Sequence, residues 1–291
     1  PDVWNDKKQF QFDALTMAPA FWQQIEATSG LSTGFRKAGR LQPLAGEREV
    51  VMARACARGA AEFWGSKATW NVIEAADAGD WRAPSDTGLF IHDTLSAVLH
   101  PRRACESLAA AIKAKGGEIV AEGSDEGVVL WATGWKGLES LSDALAAPVG
   151  NGVKGQAALL QHDARGHPQI FAAGLHIVPH LDGTVAIGST SERDFTEPDT
   201  TDHLLEDIIQ RAKDLVPVLK DAPVVTRWAG VRPRAKSRAP LLGAWPDRAN
   251  HFVANGGFKI GFGVAPMIAK TMCDLILDGK DTIPDGFKLT V

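Results

Sequence analysis

The chain has 291 residues, 45% hydrophobic and 23% charged, with 31 Lys plus Arg against 35 Asp plus Glu and a formal net charge of -4. That length exceeds the roughly 100 to 150 residues of one typical domain, so it allows two cores, or one large α/β unit with an insertion. The composition excludes disorder and fibres. The slight acidic excess argues against nucleic acid held by the overall field, and no run reaches the ~18 consecutive apolar residues of a bilayer span.

The opening stretch, "PDVWNDKKQF", has no apolar signal core, and Cys56, Cys105 and Cys273 lack the CxxC spacing of metal sites and redox dithiols. These cysteines read as buried thiols in a reducing compartment, with a cytoplasmic location expected. There is no Tyr, there are nine Trp, and no initiator Met precedes Pro1, so residues upstream of this sequence are expected.

In chain order, residues 18–29 set Pro19 in a first turn with Phe21, Trp22 and Ile25 three and four apart, which predicts a short amphipathic helix ending near Gly30. "LHPRRACESLAAAIKAKGGEIV" predicts a helix from Pro101 that packs Cys105, Leu108, Ala109 and Ile112, stops at Gly116 and Gly117, and leads into a strand at Glu118. "GVVLWATG" predicts a strand buried on both faces and closed by Gly134. In "LHIVPHLDGTVAIGST", Asp182 and Gly183 separate two β-rich runs, the signal of an antiparallel hairpin. "TTDHLLEDIIQRAKDLVPVL" predicts a helix capped by Thr200 or Thr201, packing Leu204, Leu205, Ile208, Ile209, Ala212 and Leu215, and stopped by Pro217. Finally, a strand over His251 to Ala254 leads into Gly256, Gly257, Gly261 and Gly263, and a helix opens near Pro266 and runs to Gly279. The fold class expected is mixed α/β and α+β.

The last glycine loop serves either to turn the chain or to let a ligand reach backbone amides at a helix N-terminus. "GFGVAP" fails the dinucleotide pattern GxGxxG, because Pro266 stands where the third glycine belongs. The eight histidines show no metal-ligand spacing, and His176 and His180 read as structural histidines beside a turn, so no metal is expected. No serine fits GxSxG. The basic stretch "RWAGVRPRAKSRAPLLG" admits three readings: solvated surface charge, nucleic-acid contact, or, for Arg232 alone, a guanidinium fixed between Val231 and Pro233 whose planar fork suits a carboxylate.

Taken in order, "VVLWATGWKGLESL", "VKGQAALL", "HIVPHLDGTVAIGSTSE", "WAGVRPRAKSRAPLLG" and "HFVANGGFKIGFGVAPMIAKTMCDLILDG" resemble the D-amino acid oxidase superfamily of FAD-dependent oxidoreductases, nearest glycine oxidase and sarcosine oxidase. The resemblance covers most of the chain from about Leu31. It implies a Rossmann-like FAD-binding domain assembled from residues 1–30, 96–150 and 240–291, joined to an antiparallel-sheet substrate domain of residues 31–95 and 151–239. It implies oxidation of the C–N bond of a small amino acid or secondary amine by hydride transfer to FAD, with oxygen, a quinone or another protein as the electron acceptor and no catalytic protein nucleophile. Arg232 matches the position that holds a substrate carboxylate, and Lys259 the lysine beside substrate and flavin. Thr133, Gly134, Trp135, Gly230, Gly256, Gly257, Phe258, Lys259, Ile260 and Gly261 match the cofactor's lining.

Two departures stand against the pattern. The family's N-terminal strand, GxGxxG loop and helix are absent from this sequence, so either roughly thirty or more residues precede it in the native protein, the size of a βαβ unit, or the chain is a non-catalytic remnant or binding protein that has lost the nucleotide-binding half. "IVAEGSDEGV" is also shorter than the usual pair of strands there.

Overall fold

The computed structural model describes residues 3–289. The first helix, α1 (Asp6–Ser29), starts well before the expected Pro19, which lies inside it. The Asn5 side chain caps Lys8 N, and Phe10, Ala14, Ala18 and Trp22 form a stripe at spacings of four, a stronger start signal than the proline. Gly30, at φ 70°, closes the helix in the left-handed conformation.

Next come β1 (Arg40–Pro43), α2 (Glu47–Trp64), β2 (Trp70–Glu74), α3 (Ala75–Ala78), β3 (Leu89–Asp93) and α4 (Pro101–Ala114). Helix α4 begins at Pro101 as expected but buries Ala104, Ser107 and Ala111, leaving Cys105 and Ile112 exposed. Small residues allow α1 and α4 to approach closely, close enough for Ser29 Oγ and Ser107 Oγ to share a 2.7 Å hydrogen bond. No strand forms at Glu118. Residues 117–127 carry no helix or strand, and Ile119 and Val120 are exposed.

Then follow β4 (Val129–Trp131), α5 (Gly134–Ala144), β5 (Gly150–Gln161), β6 (Gln169–Ala172), β7 (Leu175–Pro179), β8 (Thr184–Gly188), α6 (His203–Leu215), β9 (Val224–Ala235), β10 (Leu241–Ala244), β11 (His251–Asn255) and α7 (Gly261–Asp278). The eight-stranded sheet has the order β2-β3-β1-β6-β7-β8-β5-β9, antiparallel except where β1 meets β6. The three-stranded sheet has the order β10-β11-β4, with β11 and β4 parallel. Strand β4, expected to be buried on both faces, is instead the outer strand, and Val128 and Leu130 are exposed beside it. All three cysteines lie outside the core, with Cys56 half-buried and Cys105 and Cys273 exposed.

The hairpin forms at Asp182–Gly183, between β7 and β8. Helix α6 is capped by Asp202 rather than by a threonine, its carboxylate accepting from Leu204 N, which places Leu204 at the rim and Leu205, Ile208 and Ala212 inside. These pack on Ala158, Leu160, Ile170, Ile177, Val185 and Ile187 of the large sheet, each large side chain contributing about 1.5–3 kcal/mol of burial. Strand β5 shows the period directly. Its even residues from Gly152 to Leu160 are buried, while Gly155, Ala157 and Leu159 are only half-buried on the other face. Val178 of β7 lines a cavity together with Trp22 of α1 and Phe262 at the start of α7.

Helix α7 opens at Gly261, after a 3-10 turn over Phe258–Ile260, and so takes Pro266 inside it rather than at its mouth. Phe258–Asp278 is long and apolar enough to cross a membrane by length and composition, with mean hydropathy 1.5 and 22% burial. It packs Val264 and Met272 against Phe10 and Ala14 of α1 and Leu242 of β10.

Candidate active site

Strand β9 carries Arg232 opposite Val153 of β5, on the half-buried face of the sheet. Its Nη2 donates to Ser189 Oγ and to the Thr190 carbonyl, both at 2.8 Å. The guanidinium lies over Gly155. A Cβ there would stand 1.8 Å from Nη2, so only glycine leaves the seat open. Nη1 is buried and has no hydrogen-bond partner among the described residues, and a buried orphan donor of this kind costs about 1–3 kcal/mol until something accepts from it. Burial works against the guanidinium's charge, and Glu192 favours it.

The turn ahead of α7 brings further predicted residues to the end of β9. Arg234 bridges to Gly257, and its guanidinium stands 6.0 Å from the Phe258 ring. Lys259 is exposed, with Nζ 5.7 Å from the same ring. Gly256, at φ 74°, presses against Ala235, where a Cβ would come within 2.8 Å, and a Cβ on Gly257 would reach Gly261 Cα at 2.9 Å. These glycines therefore let the turn pack tightly against Ala235 and Gly261 at the mouth of α7. A groove of about 400 Å³ runs there, lined by Pro233, Gly257, Phe258, Lys259, Gly261 and Phe262, and an adjoining apolar cavity of about 220 Å³ shares Phe262 and touches Trp22 and Val178. The N–H groups opening an 18-residue helix present partial positive charge to an electron-rich ligand.

Other predicted positions are more dispersed. Gly230 is exposed, and a Cβ added to it would meet nothing within 4 Å. Thr133 precedes α5, and Gly134 turns the chain at φ 65° while its carbonyl accepts from Asn255 Nδ2 at 2.9 Å, tying the ends of β4 and β11 together. Ile260 packs into the α1–α7 core. The Trp135 ring is not gathered with Arg232. It stacks edge-on to Phe195 and faces Gly152, on the opposite side of β5, beside a wider groove of about 1050 Å³. That groove is the larger, yet the orphan donor and the open helix mouth lie on the other face.

Nothing in the sequence singles out Ser189, Thr190 and Gly155, although "VKGQ" and "IGSTSE" contain them. His176 reads as structural in the sequence, whereas its side chain is exposed on the same face, paired across to Gly188 and without a hydrogen-bond partner among the described residues. Desolvation, then Arg40 and Lys259, push its pKa down. His180 is buried, as expected.

Residues 4–275 match the model of the DAO family, described as FAD dependent oxidoreductase. The chain belongs to that family. It is 32% identical over 159 residues to the glycine oxidase of Pseudomonas aeruginosa, covering 54% of this chain and 43% of that protein. It is 28% identical over 283 residues to the bifunctional protein ThiO/ThiG of Synechocystis sp., covering 89% and 41%. The chain thus spans less than half the length of these relatives. Among solved structures, glycine oxidase from Geobacillus kaustophilus superposes with a TM-score of 0.80 at 20% identity over 96% of this chain and 81% of that one. Iminodiacetate oxidase from Chelativorans sp. BNC1 gives 0.80 at 17% over 99% and 85%. These two likenesses establish the DAO-type mixed α/β fold.

Proposed function

We propose that this DAO-family chain oxidises the C–N bond of a small amino acid or secondary amine whose carboxylate is held by Arg232, using FAD seated at the mouth of α7, with oxygen as an electron acceptor. The observation that carries this reading is the buried, unpartnered Nη1 of Arg232. A carboxylate oxygen accepting from it would satisfy the orphan donor and form a charge-assisted bond of about 1.5–3 kcal/mol. The division into a flavin domain around the three-stranded sheet and a substrate domain around the eight-stranded one is part of the same proposal.

The residues present fit the ring end of the cofactor. A groove lined by Gly257, Gly261 and Gly263, at a helix N-terminus, leaves backbone within reach of a flat ring edge. Once bound, FAD supplies the two-electron acceptor for the hydrogen leaving the carbon next to nitrogen. The chain's own contribution is placement: Arg232 fixes one end of the substrate, and such orientation replaces a bimolecular encounter with a held geometry. Lys259 adds a positive charge at the same mouth, the helix N-terminus offers about 0.3–1 kcal/mol to negative charge, and the apolar wall of Phe262, Trp22 and Val178 excludes water.

A second reading, a protein that binds carboxylates without flavin, is favoured by one observation: the pattern GxGxxG occurs in these 291 residues only as Gly150–Gly155, inside strand β5, and not between a strand and the start of a helix. Adding FAD to the purified protein separates the two. The first reading expects the bound-flavin absorbance to shift and then bleach on anaerobic addition of glycine or sarcosine. Arg232→Ala should raise the Michaelis constant about tenfold or more, whereas Lys236→Ala, in the exposed turn that follows, should leave it unchanged. Equal effects of the two substitutions would exclude Arg232 as the anchor.

A further inference from the structure

Resting on the reading of Arg232 as a carboxylate receptor, we propose that Gln156 and Glu192, on the opposite sheet face, are positioning residues that hold the Ser189–Thr190 strap against its guanidinium and so set the affinity of that site. Strap and sheet are joined by backbone bonds: Thr190 N donates to the Gln156 carbonyl at 3.2 Å, and Lys154 and Glu192 exchange N–H and C=O bonds at 2.9 Å. Backbone pairing alone would leave the strap's side chains free to choose.

The side chains remove that choice. Thr190 Oγ1 accepts from Gln156 N at 2.8 Å and donates to Glu192 Oε1, while its carbonyl accepts from Arg232 Nη2. One threonine therefore touches both faces. Gln156 is fully buried and all its polar capacity on this side is taken up: Nε2 donates to Glu192 Oε1 at 3.1 Å and to Asp202 Oδ1 at 2.9 Å, and Oε1 accepts from Asp202 N at 2.8 Å. An apolar side chain in its place would take one donor from each of the two carboxylates and leave the Asp202 N–H without its acceptor, so the amide specifies a single arrangement.

Charge completes the account. Lys154 Nζ is 3.9 Å from Glu192 Oε2, and both side chains are largely buried. Asp202 caps α6, so its negative charge is met by the helix N-terminus. Lys154, Glu192 and Arg232 are left with a net positive charge for an incoming anion. Glu192 is the charge that opposes the desolvation of the Arg232 guanidinium, so it both holds the strap and offsets part of the cost of burying that cation. None of these positioning residues lies on the face where the substrate would bind, and their effect must pass through Arg232.

The experiment uses the whole chain and two readouts: calorimetric binding of glycolate, and the side-chain Nε–H nuclear magnetic resonance signal of Arg232, which reports how firmly its guanidinium is pinned. Gln156→Leu keeps the side chain's size and removes the amide; it is expected to weaken glycolate about tenfold and to broaden the Arg232 signal through faster guanidinium rotation. Thr190→Val, a milder change that cuts the hydroxyl link and keeps the carbonyl, is expected to act in the same direction and decides the matter if Gln156→Leu does not fold. If either folded variant keeps the wild-type affinity and an unchanged Arg232 signal while Arg232→Ala abolishes binding, the positioning role is wrong and the receptor reading stands. If Arg232→Ala binds glycolate as tightly as wild type, the receptor reading is wrong, and the Arg232 signal alone then decides whether Gln156 and Thr190 pin the guanidinium.

Discussion

Gly155→Ala is the most direct perturbation of the proposed receptor, because it adds one methyl group beneath the guanidinium. The added Cβ would lie 1.8 Å from Nη2, 2.4 Å from Cζ and 2.5 Å from Nη1 of Arg232, separations that no relaxed contact reaches. The guanidinium must therefore leave its seat, giving up its bonds to Ser189 Oγ and the Thr190 carbonyl and taking Nη1 with it. The bond lost to a bound carboxylate is worth about 1.5–3 kcal/mol, which is about 10- to 150-fold in its dissociation constant. The backbone at Gly155 is not left-handed, so the alanine itself is tolerated and reduces the freedom of the unfolded chain by about 0.4–1 kcal/mol. Affinity should therefore fall far more than stability. Gly230 is the matched control, since it pairs with Gly155 across the ladder and a Cβ there meets nothing within 4 Å. Calorimetric titration with glycolate, alongside thermal melts of both variants, reads the contrast. Wild-type affinity in Gly155→Ala, or an equal loss in Gly230→Ala, would refute the seat.

The remaining predictions concern titration and packing. The His180 imidazole is pushed down to about 4 by desolvation, with His100 as the next cause. Its folded pKa is thus below the unfolded value of about 6.5, and the stability it contributes is complete above pH 6.5 and is lost as pH falls towards 4, by up to about 3 kcal/mol. Melts across that window should slope steeply in wild type and flatten in His180→Asn; identical slopes would sink the assignment. Lys259→Met should raise the His176 pKa, since Lys259 is one of the charges that lower it, and a ring-proton titration unchanged by the substitution would show that the two side chains do not interact. Trp22→Ala, at a position 2% exposed between α1 and α4, should cost about 3–5 kcal/mol, measured as a lower midpoint in urea.

What could be read in the sequence was local. Asp182–Gly183 states its hairpin, Pro101 its helix start, and the alternation around Leu205 and Ile208 its buried face, because each is decided by neighbours within a turn or two. Where tertiary contacts competed, local reading failed. Pro19 lies inside a helix because the four-residue stripe from Phe10 to Trp22 has a partner to pack against, and α4 turns Ala104 and Ser107 inward in place of the expected Cys105 and Ile112, because α1 approaches too closely for larger side chains. Strand β4 reads as doubly buried because its composition is apolar, yet it lies at the sheet's rim with Leu130 exposed.

The candidate site divides along the same line. Arg232 stands out in the sequence because a cation between Val231 and Pro233 is chemically conspicuous, but what qualifies it as the proposed receptor comes from strands far from it in the chain: a glycine in β5 that clears its seat, and a serine and a carbonyl after β8 that occupy one of its two terminal nitrogens. A fork with both ends free would be a surface charge, and a fork with both ends satisfied would be a structural tie. With Nη2 bonded and Nη1 buried and unpartnered, the guanidinium is fixed in direction while still needing an acceptor. That half-satisfied state is a property of three chain segments together, and no window of sequence containing Arg232 alone could have shown it.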